Sequence, residues 1–235
     1  MREGNSTTII HNLLPGWMCS TNYNHHPGGR VWIFWDPNVL VVQVTKSSEQ
    51  IIHVQAMIIQ QQRLIGISCI YGFNTPVPRR DLWSSLYSIS SFMLDTPWLV
   101  MGDFNIFRQP TENLGGATDW PAYVEDLNEC CHDCLLEDLR FTGHLHTWTK
   151  GSGTRFLARK LDRALINSSW MSFFPNAEAV FQDPGASDHT PIVVNTGIPL
   201  HHRRTPFRFF NFWLEDNTCE AVISQAWSTQ FSGSP

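Results

Sequence analysis

The segment WLVMGDFN, residues 98–105, decides the fold and points to a site. Its four leading apolar residues predict a buried strand, which runs directly into Gly-Asp-Phe-Asn. Alternate residues of an extended chain share one face, so Asp103 and Asn105 are expected to face one object while Phe104 returns to the core. Such an oxygen-bearing pair suits a hard cation, a phosphate or a water molecule to be activated. The alternative is a simple turn, because Gly, Asp and Asn are common turn residues.

The composition narrows the class of protein. The 235 residues suffice for one large core or two small ones, and 42% hydrophobic residues is usual for a globular chain. The sequence has no run of about 18 apolar residues and no signal-peptide pattern, so we expect an intracellular protein without a membrane span. A net charge of −5 argues against a nucleic-acid binder that is basic throughout, but it leaves room for a local basic patch.

Strand and helix patterns alternate irregularly along the chain. Asp81 is the expected N-cap of a helix whose apolar residues recur at helical spacing up to Met93. A second helix is expected at 121–139, and it contains three clustered cysteines that lack the matching pair of a zinc site. The Asp-Pro-Asn turn at 36–38 predicts that its two flanking strands are antiparallel neighbours. Strands are expected at residues 31–35, 39–45, 50–59, 64–72, 97–104, 144–150, 158–167, 177–181 and 190–195.

These patterns predict an α/β (α+β) architecture in which two mostly antiparallel sheets are covered by helices. The strand pattern loosens near Gly197. We therefore expect one domain over residues 1–197, followed at 198–235 by a basic and aromatic linker with a helical tail.

Polar residues stand at or beside the ends of several expected strands. Asp162 lies within an apolar strand, where a buried carboxylate needs a partner. His189 is a natural partner, because an Asp–His pair fixes the imidazole tautomer and keeps it charged or basic near a phosphate. The alternatives are that His189 is an ordinary surface histidine and that Asp188 caps a turn. Three further strand-end residues are Tyr71, Asn74 and Thr147.

The ordered set IYGFN, MGDFN, TW, KLDR and SDHTP resembles the endonuclease/exonuclease/phosphatase superfamily. In detail, the chain is similar to the apurinic-endonuclease-like domain of plant LINE-type (non-LTR) retrotransposons, and NYNHHPGGRVWIFWDP and PFRFFNFWLED extend the similarity. The resemblance covers nearly the whole chain. It implies a four-layer sandwich of two sheets flanked by helices, with the site at one end of the sheets.

The resemblance also implies a role for each matching residue in phosphodiester hydrolysis. Asp103 would orient or deprotonate the attacking water, and Asn105 would hold that water or a phosphate oxygen. Asp162 would orient His189, which would stabilise the charged transition state. The remaining roles are contacts to the scissile phosphate from Tyr71 and Asn74, a place near the divalent metal or the leaving group for Asp188, and a supporting site role for Thr147.

The resemblance implies a divalent cation, Mg²⁺ or Mn²⁺, since Mg²⁺ prefers oxygen ligands and retains several waters. Family members carry a metal-binding Glu on an early strand, and no residue matches it. Glu3 is the nearest carboxylate, and we interpret it as a helix-start residue. We therefore expect a chain that is truncated at its N-terminus and impaired in activity.

A basic stretch at 150–163 is the expected contact to DNA. It carries five cations against one acid, and beside a phosphate-cleaving site it is a candidate clamp for the phosphate backbone. The alternative is a solvated hairpin. The five cations are Lys150, Arg155, Arg159, Lys160 and Arg163.

The leading hypothesis is a metal-dependent DNA endonuclease of retrotransposon origin that acts in the nucleus. One alternative is a phosphatase of the same superfamily. Another is a non-catalytic remnant that at most binds nucleic acid. DNA is the expected partner, and neither a membrane nor an obligate protein partner is expected.

Overall fold

The computed structural model describes residues 12–116, 124–197 and 218–228 of the chain. The chain divides into two units, Met1–Ile198 and Pro199–Pro235. Within the described residues the helices are α1 (Pro76–Met93), α2 (Glu125–Asp133), α3 (Ser168–Phe173) and, in the second unit, α4 (Cys219–Ser228). The strands are β1 (Met18–Thr21), β2 (Trp32–Trp35), β3 (Leu40–Ser47), β4 (Ile51–Ile58), β5 (Arg63–Tyr71), β6 (Trp98–Asp103), β7 (Asn113–Leu114), β8 (Glu137–Asp138), β9 (Phe141–Gly143), β10 (Trp148–Lys150), β11 (Leu157–Arg159), β12 (Asp162–Ile166), β13 (Glu178–Phe181) and β14 (Ile192–Asn195).

A six-stranded sheet with the order β3-β4-β5-β6-β12-β8 forms the centre of the larger unit. Its strand pairs are antiparallel except β5 and β6, which are parallel and are connected through α1. A parallel pair needs such a crossover, since a tight hairpin can join only antiparallel strands. The crossover brings the carboxyl ends of β5 and β6 to the same edge, where the polar residues predicted from the sequence lie.

Helices α1 and α2 cover one face of this sheet. The periodic residues of α1, including Leu82, Leu86 and Ile89, are fully buried against strand residues such as Val100. Phe104 is also fully buried in this cluster, so the expectation that it returns to the core is confirmed. The three cysteines of the 130–134 cluster lie in the same core and are free thiols.

The opposite face of the sheet is covered by smaller elements. Leu99 of β6 and Ile166 of β12 pack there with Trp170 of α3 and Phe181 of β13. A two-stranded sheet, β1-β2, packs near the other edge, where Val31 joins a cluster with residues of β4. The predicted α/β class, with sheets flanked by helices, is confirmed, but strands outside the central sheet form three small sheets rather than one: β1-β2, β10-β11-β7 and β14-β13-β9.

Two local predictions were wrong. Helix α1 begins at Pro76, with Thr75 in the extended conformation as its N-cap, so Asp81 lies inside the helix. Proline is well placed in a first turn because its fixed φ suits the helix and its missing N–H has no helical partner there. The Asp-Pro-Asn turn exists, but β2 pairs with β1 and β3 pairs with β4, so this turn carries the chain from one sheet to another.

Other boundaries also differ from the sequence pattern. The segment 158–167 is split into β11 and β12, which belong to different sheets, and 144–150 contributes only the short β10. Helix α2 ends earlier than expected because Leu135 adopts a positive φ of 54° and turns the chain into β8. Glu3, Pro121 and the basic part of the tail lie outside the described residues. Among the helices that are described, none is both long and apolar enough to cross a membrane.

Candidate active site

Three side chains lie side by side on neighbouring strands at one end of the central sheet. Tyr71, the last residue of β5, is the cross-strand partner of Asp103, the last residue of β6. Asp103 is in turn paired with Asp162, the first residue of β12. Residues paired across strands share a face, so the three side chains leave the same face at the same end of the sheet. This face is opposite to the one that α1 and α2 cover.

Gly102, the residue before Asp103 in β6, has a backbone conformation that requires glycine. Its φ of +132° is one that L side chains rarely adopt, and a Cβ there would lie 2.2 Å from the carbonyl oxygen of Ile70. Any side chain would therefore push β6 away from β5. Glycine allows both the close approach of the strands and the turn of the chain that presents Asp103.

Asp103 and Asn105 form a local unit. Asn105 has a positive φ of 53°, which Asn tolerates better than most residues. Its backbone N–H donates to Asp103 Oδ1 at 2.8 Å, and its Nδ2 donates to Asp103 Oδ2 at 2.9 Å and to the carbonyl oxygen of Gly72 at 2.8 Å. Both amide protons are thus used within the protein. Asn105 therefore positions Asp103, and its amide oxygen remains available to accept a hydrogen bond from a water.

Arg79 supports this unit and was missed in the sequence. Its side chain is fully buried, and Nη1 donates to the carbonyl oxygens of Phe73 at 2.8 Å and Asn105 at 2.9 Å. The guanidinium thus ties together the chain segments that follow β5 and β6. A signal was present, because Arg79 lies at helical spacing from Leu82 and Leu86 on the buried face of α1.

The predicted Asp–His pair is present. Asp162 Oδ2 accepts hydrogen bonds from His189 Nδ1 at 2.8 Å and from Thr147 Oγ1 at 2.7 Å. Thr147 is fully buried, and its Oγ1 also accepts from the backbone N–H groups of Leu161 at 3.0 Å and Asp162 at 2.9 Å. An antiparallel bridge between Trp148 and His189 fixes the loop that carries the histidine. Thr147 therefore acts as a supporting residue of the Asp162–His189 pair.

The electrostatics of the site couple Asp103, Asp162 and His189. Burial and the nearby charge of Asp162 raise the pKa of Asp103 from 3.8 to about 7. The hydrogen bond to Asp162 raises the pKa of His189 above 6.5. His189 Nε2 lies 3.9 Å from Asp103 Oδ2, so the imidazole stands between two carboxylates. The site therefore combines a carboxyl group whose pKa of about 7 lies near neutral pH with an imidazole whose protonated form is favoured by Asp162.

Among the described residues, these three form the group that could hold a metal ion. One ligand atom from each of Asp103, Asp162 and His189 lies within 4.8 Å of the others. Two carboxylates this close repel each other, as the raised pKa of Asp103 indicates, and a divalent cation would relieve that repulsion. The two carboxylates therefore fit a divalent cation of the Mg²⁺ or Mn²⁺ kind, which prefers oxygen ligands.

Like Asn105 and Thr147, three more of the predicted residues lie outside that group. Asp188 is exposed, its carboxylate accepts a hydrogen bond from Trp148 Nε1 at 2.9 Å, and this bond lowers its pKa. The structure thus places Asp188 beside His189 but not among the candidate metal ligands, where the sequence interpretation had put it. Tyr71 is half-buried at this end of the sheet, and Asn74 is exposed in the bend before α1.

The basic stretch at 150–163 is not a continuous surface. Lys160 and Arg163 are buried, so they cannot reach a phosphate backbone, which corrects their assignment to a DNA clamp. Arg163 pairs with the buried Glu112 and with Asp138. Lys160 lies with its ammonium 3.7 Å from the Phe141 ring centroid and 3.9 Å from Asp138 Oδ1.

The other three cations remain accessible to different degrees. Lys150 and Arg155 are exposed. Arg159 is half-buried, and its guanidinium lies 5.8 Å from the ring centroid of Phe107 and 5.9 Å from that of Trp148. Because Trp148 also contacts Asp188, Arg159 is the member of this stretch that is linked most directly to the site.

Comparison with known proteins defines the class of fold. No protein-family model matches the chain, and no curated protein matches it in sequence. Among solved structures, the chain is similar to the endonuclease domain of TRAS1, a telomere-specific non-LTR retrotransposon, with a TM-score of 0.61, 17% identity and coverage of 79% of this chain and 82% of that chain. It is also similar to TDP2 of D. rerio complexed with a single-stranded DNA product, with a TM-score of 0.53, 12% identity and coverage of 82% and 81%. It is similar as well to an endonuclease/exonuclease/phosphatase from Bacteroides vulgatus, with a TM-score of 0.51, 14% identity and coverage of 81% of this chain and 79% of that chain.

The fold is therefore that of the endonuclease/exonuclease/phosphatase proteins. The resemblance inferred from the five ordered motifs is confirmed at this level. All five motifs lie in elements that the structure describes, and the Asp103, Asp162 and His189 of three of them converge on one site.

Proposed function

We propose that this chain is a phosphodiester hydrolase of the DNA endonuclease type. The observation that carries the proposal is the convergence of Asp103, Asp162 and His189 at one end of the sheet, within 4.8 Å of one another. Phosphodiester hydrolysis needs an acceptor for the proton of water and a cation that neutralises charge at phosphorus. Asp103 supplies the first and His189 supplies the second.

Asp103 is suited to be the general base. A base works best when its pKa lies near the working pH, and burial beside Asp162 brings the pKa of Asp103 to about 7. Asn105 donates to both carboxylate oxygens and so fixes the orientation of the group. A water molecule that donates to Asp103 and to the amide oxygen of Asn105 would be held and deprotonated there.

His189 is suited to be the electrostatic stabiliser. Its Nδ1–H donates to Asp162, so in the imidazolium form Nε2–H remains for a phosphate or leaving-group oxygen. The hydrogen bond to Asp162 raises the pKa of His189 and so favours the charged imidazole. Thr147 donates a hydrogen bond to Asp162, and Asp188 accepts one from Trp148 beside the site. We retain Tyr71 and Asn74 as proposed contacts to the scissile phosphate.

A bound divalent cation, Mg²⁺ or Mn²⁺, would neutralise charge on the phosphate. The carboxylates of Asp103 and Asp162 would hold it, and His189, as the imidazolium, would not be a ligand. Asp188 remains a further candidate near the metal or the leaving group because it is the next residue to His189 and is exposed.

DNA, a retrotransposon origin and nuclear action belong to the same proposal. The endonuclease domain of TRAS1 comes from a non-LTR retrotransposon, and TDP2 of D. rerio was seen with a single-stranded DNA product. Both share the fold of this chain, and the motifs that resemble plant LINE elements point the same way. Lys150, Arg155 and Arg159 stay in the proposed DNA-contacting set.

The test is hydrolysis by the purified chain of supercoiled plasmid and of a small diester, bis(p-nitrophenyl) phosphate, in millimolar Mg²⁺ or Mn²⁺. We expect nicking that EDTA stops and that His189→Ala lowers by about 100-fold or more. His144→Ala is the matched control, because His144 Nε2 forms a second His–Asp pair with Asp183 at 2.8 Å, outside the candidate metal group. Equal loss in both variants, or hydrolysis that EDTA leaves intact, would refute the proposal. Faster hydrolysis of p-nitrophenyl phosphate than of either diester would favour a phosphatase.

A further inference from the structure

Arg30 is an exposed cation that forms no salt bridge with a carboxylate of the described residues. Its guanidinium carbon lies 5.2 Å from the ring centroid of Tyr71 and 5.3 Å from that of Phe73. Among the described residues, the salt bridges of arginines belong to Arg108 and Arg163, and none belongs to Arg30. The side chain therefore rests on two aromatic rings and still has its charge available to a ligand.

The residues on either side of Arg30 are held by hydrogen bonding and close packing. Asn22 is fully buried, and its Oδ1 accepts the backbone N–H of Val31, the next residue after Arg30, at 3.0 Å. Gly29, the preceding residue, has a φ of +50°, and a Cβ there would lie 2.3 Å from the ring of Tyr23. Fixed neighbours on both sides restrict the backbone of Arg30, which lowers the entropy lost when its side chain is ordered by a ligand.

The two aromatic rings connect Arg30 to the candidate active site. Tyr71 is the cross-strand partner of Asp103, and adjacent strands lie about 4.8 Å apart. Between the two aromatic residues, Gly72 accepts a hydrogen bond from Asn105. The segment on which Arg30 rests therefore forms one wall of the site.

We propose that Arg30, supported by Tyr71 and Phe73, binds a phosphate of the DNA strand adjacent to the phosphate that is cleaved. Guanidinium can stack on an aromatic face and still use its in-plane N–H groups for two parallel hydrogen bonds to phosphate. The rings also shield one side of the cation from water, which strengthens its pairing with an anion. The inference rests on the proposed function, because the second phosphate must come from a chain of phosphodiesters.

The test compares the affinities of Arg30→Ala and Arg63→Ala for a fluorescent 20-nucleotide single-stranded DNA in EDTA. Binding is measured by fluorescence anisotropy at several salt concentrations. Arg63 is a matched control, because it is also exposed and its guanidinium carbon also stacks on a ring, 5.2 Å from the Phe173 centroid. It begins β5 whereas Tyr71 ends it, so the two positions lie about 26 Å apart along the strand.

We expect Arg30→Ala to bind about tenfold more weakly than the wild-type chain and to reduce the slope of log Kobs against log salt by about 0.7. Arg30→Lys keeps the charge without the planar fork and should give an intermediate affinity with the wild-type slope. Arg63→Ala should match the wild-type chain in both respects. Thermal unfolding of each variant checks that the fold is unchanged.

The inference is overturned if the wild-type chain does not bind the DNA, if Arg30→Ala keeps the wild-type affinity and slope, or if Arg63→Ala loses as much affinity. The proposed function is tested separately by hydrolysis of bis(p-nitrophenyl) phosphate by the wild-type chain, since this small diester has no second phosphate. If the chain leaves the diester intact but binds DNA through Arg30, the proposed phosphate-binding site is supported and the proposed catalytic function is refuted.

Discussion

Asp103→Asn should make the protein more stable at alkaline pH while it removes the proposed base. In the folded chain the pKa of Asp103 is raised from 3.8 to about 7 by burial and by the charge of Asp162. A carboxyl group with a raised folded-state pKa contributes its full stability when it is protonated, at low pH, and loses that contribution as the pH rises through about 7. Above that pH the ionised Asp103 is a cost that asparagine does not carry.

The size of the effect follows from two opposing contributions. A shift of about three pKa units corresponds to about 4 kcal/mol at most between the two ionisation states. Asparagine cannot accept hydrogen bonds at both atoms as the carboxylate does, so one of the two bonds from Asn105 is lost, at about 1 kcal/mol. We therefore expect Asp103→Asn to gain about 1–3 kcal/mol in the free energy of unfolding at pH 8.5 and to gain nothing, or lose about 1 kcal/mol, at about pH 3.5, below the unfolded-state pKa.

Urea unfolding at the two pH values measures this difference. Asp36→Asn is the matched control, because Asp36 stands in the same Asp-x-Asn pattern and accepts hydrogen bonds from the backbone N–H and Nδ2 of Asn38 at 2.8 and 2.9 Å. Asp36 has no partner carboxylate comparable to Asp162 among the described salt bridges and metal-binding groups, so its variant should show no pH-dependent gain. A loss of stability for Asp103→Asn that is equal at both pH values would refute the reasoning.

Two further predictions concern the neighbours of this residue. Asp162→Asn should shift both limbs of the pH–rate profile to lower pH, because it removes the charge that helps raise the pKa of Asp103 and the hydrogen-bond partner that raises the pKa of His189. It should also lower the maximal rate of plasmid nicking by about 100-fold. An unchanged pH–rate profile would contradict the assigned roles. Arg163→Met should cost about 3–5 kcal/mol in urea unfolding because it leaves the buried Glu112 unpaired, whereas Arg155→Met, at an exposed position, should change stability by less than about 0.5 kcal/mol.

The site residues could be predicted from the sequence because each lies at a strand end with a local signal. Asp103 and Asn105 follow an apolar run, and Asp162 interrupts one. What the sequence does not contain is the register that makes Tyr71, Asp103 and Asp162 neighbours, because it depends on pairing between segments that are far apart in the chain.

The roles of polar side chains were harder to predict than their positions. The amide of Asn105 was expected to face a ligand, but both of its N–H groups are used within the protein. Arg79 was not singled out in the sequence, yet it is fully buried and its guanidinium donates to the carbonyl oxygens of Phe73 and Asn105. Hydrogen-bond partners of this kind come from other parts of the chain, so no local pattern reports them.

The basic stretch shows why charge counting misled the sequence interpretation. Asp162 and Arg163 are consecutive residues of a strand, so their side chains point to opposite faces of the sheet. One face presents Asp162 to His189, and the other places Arg163 between Glu112 and Asp138. Both residues belong to the same short strand. The buried ion pairs of Arg163 therefore also help to position Asp162 at the end of the sheet. Lys160 and Arg163, the cations nearest to Asp162 in sequence, are thus buried with the strand that carries it, and the proposed contact with DNA would fall to exposed residues such as Arg30 and Arg155.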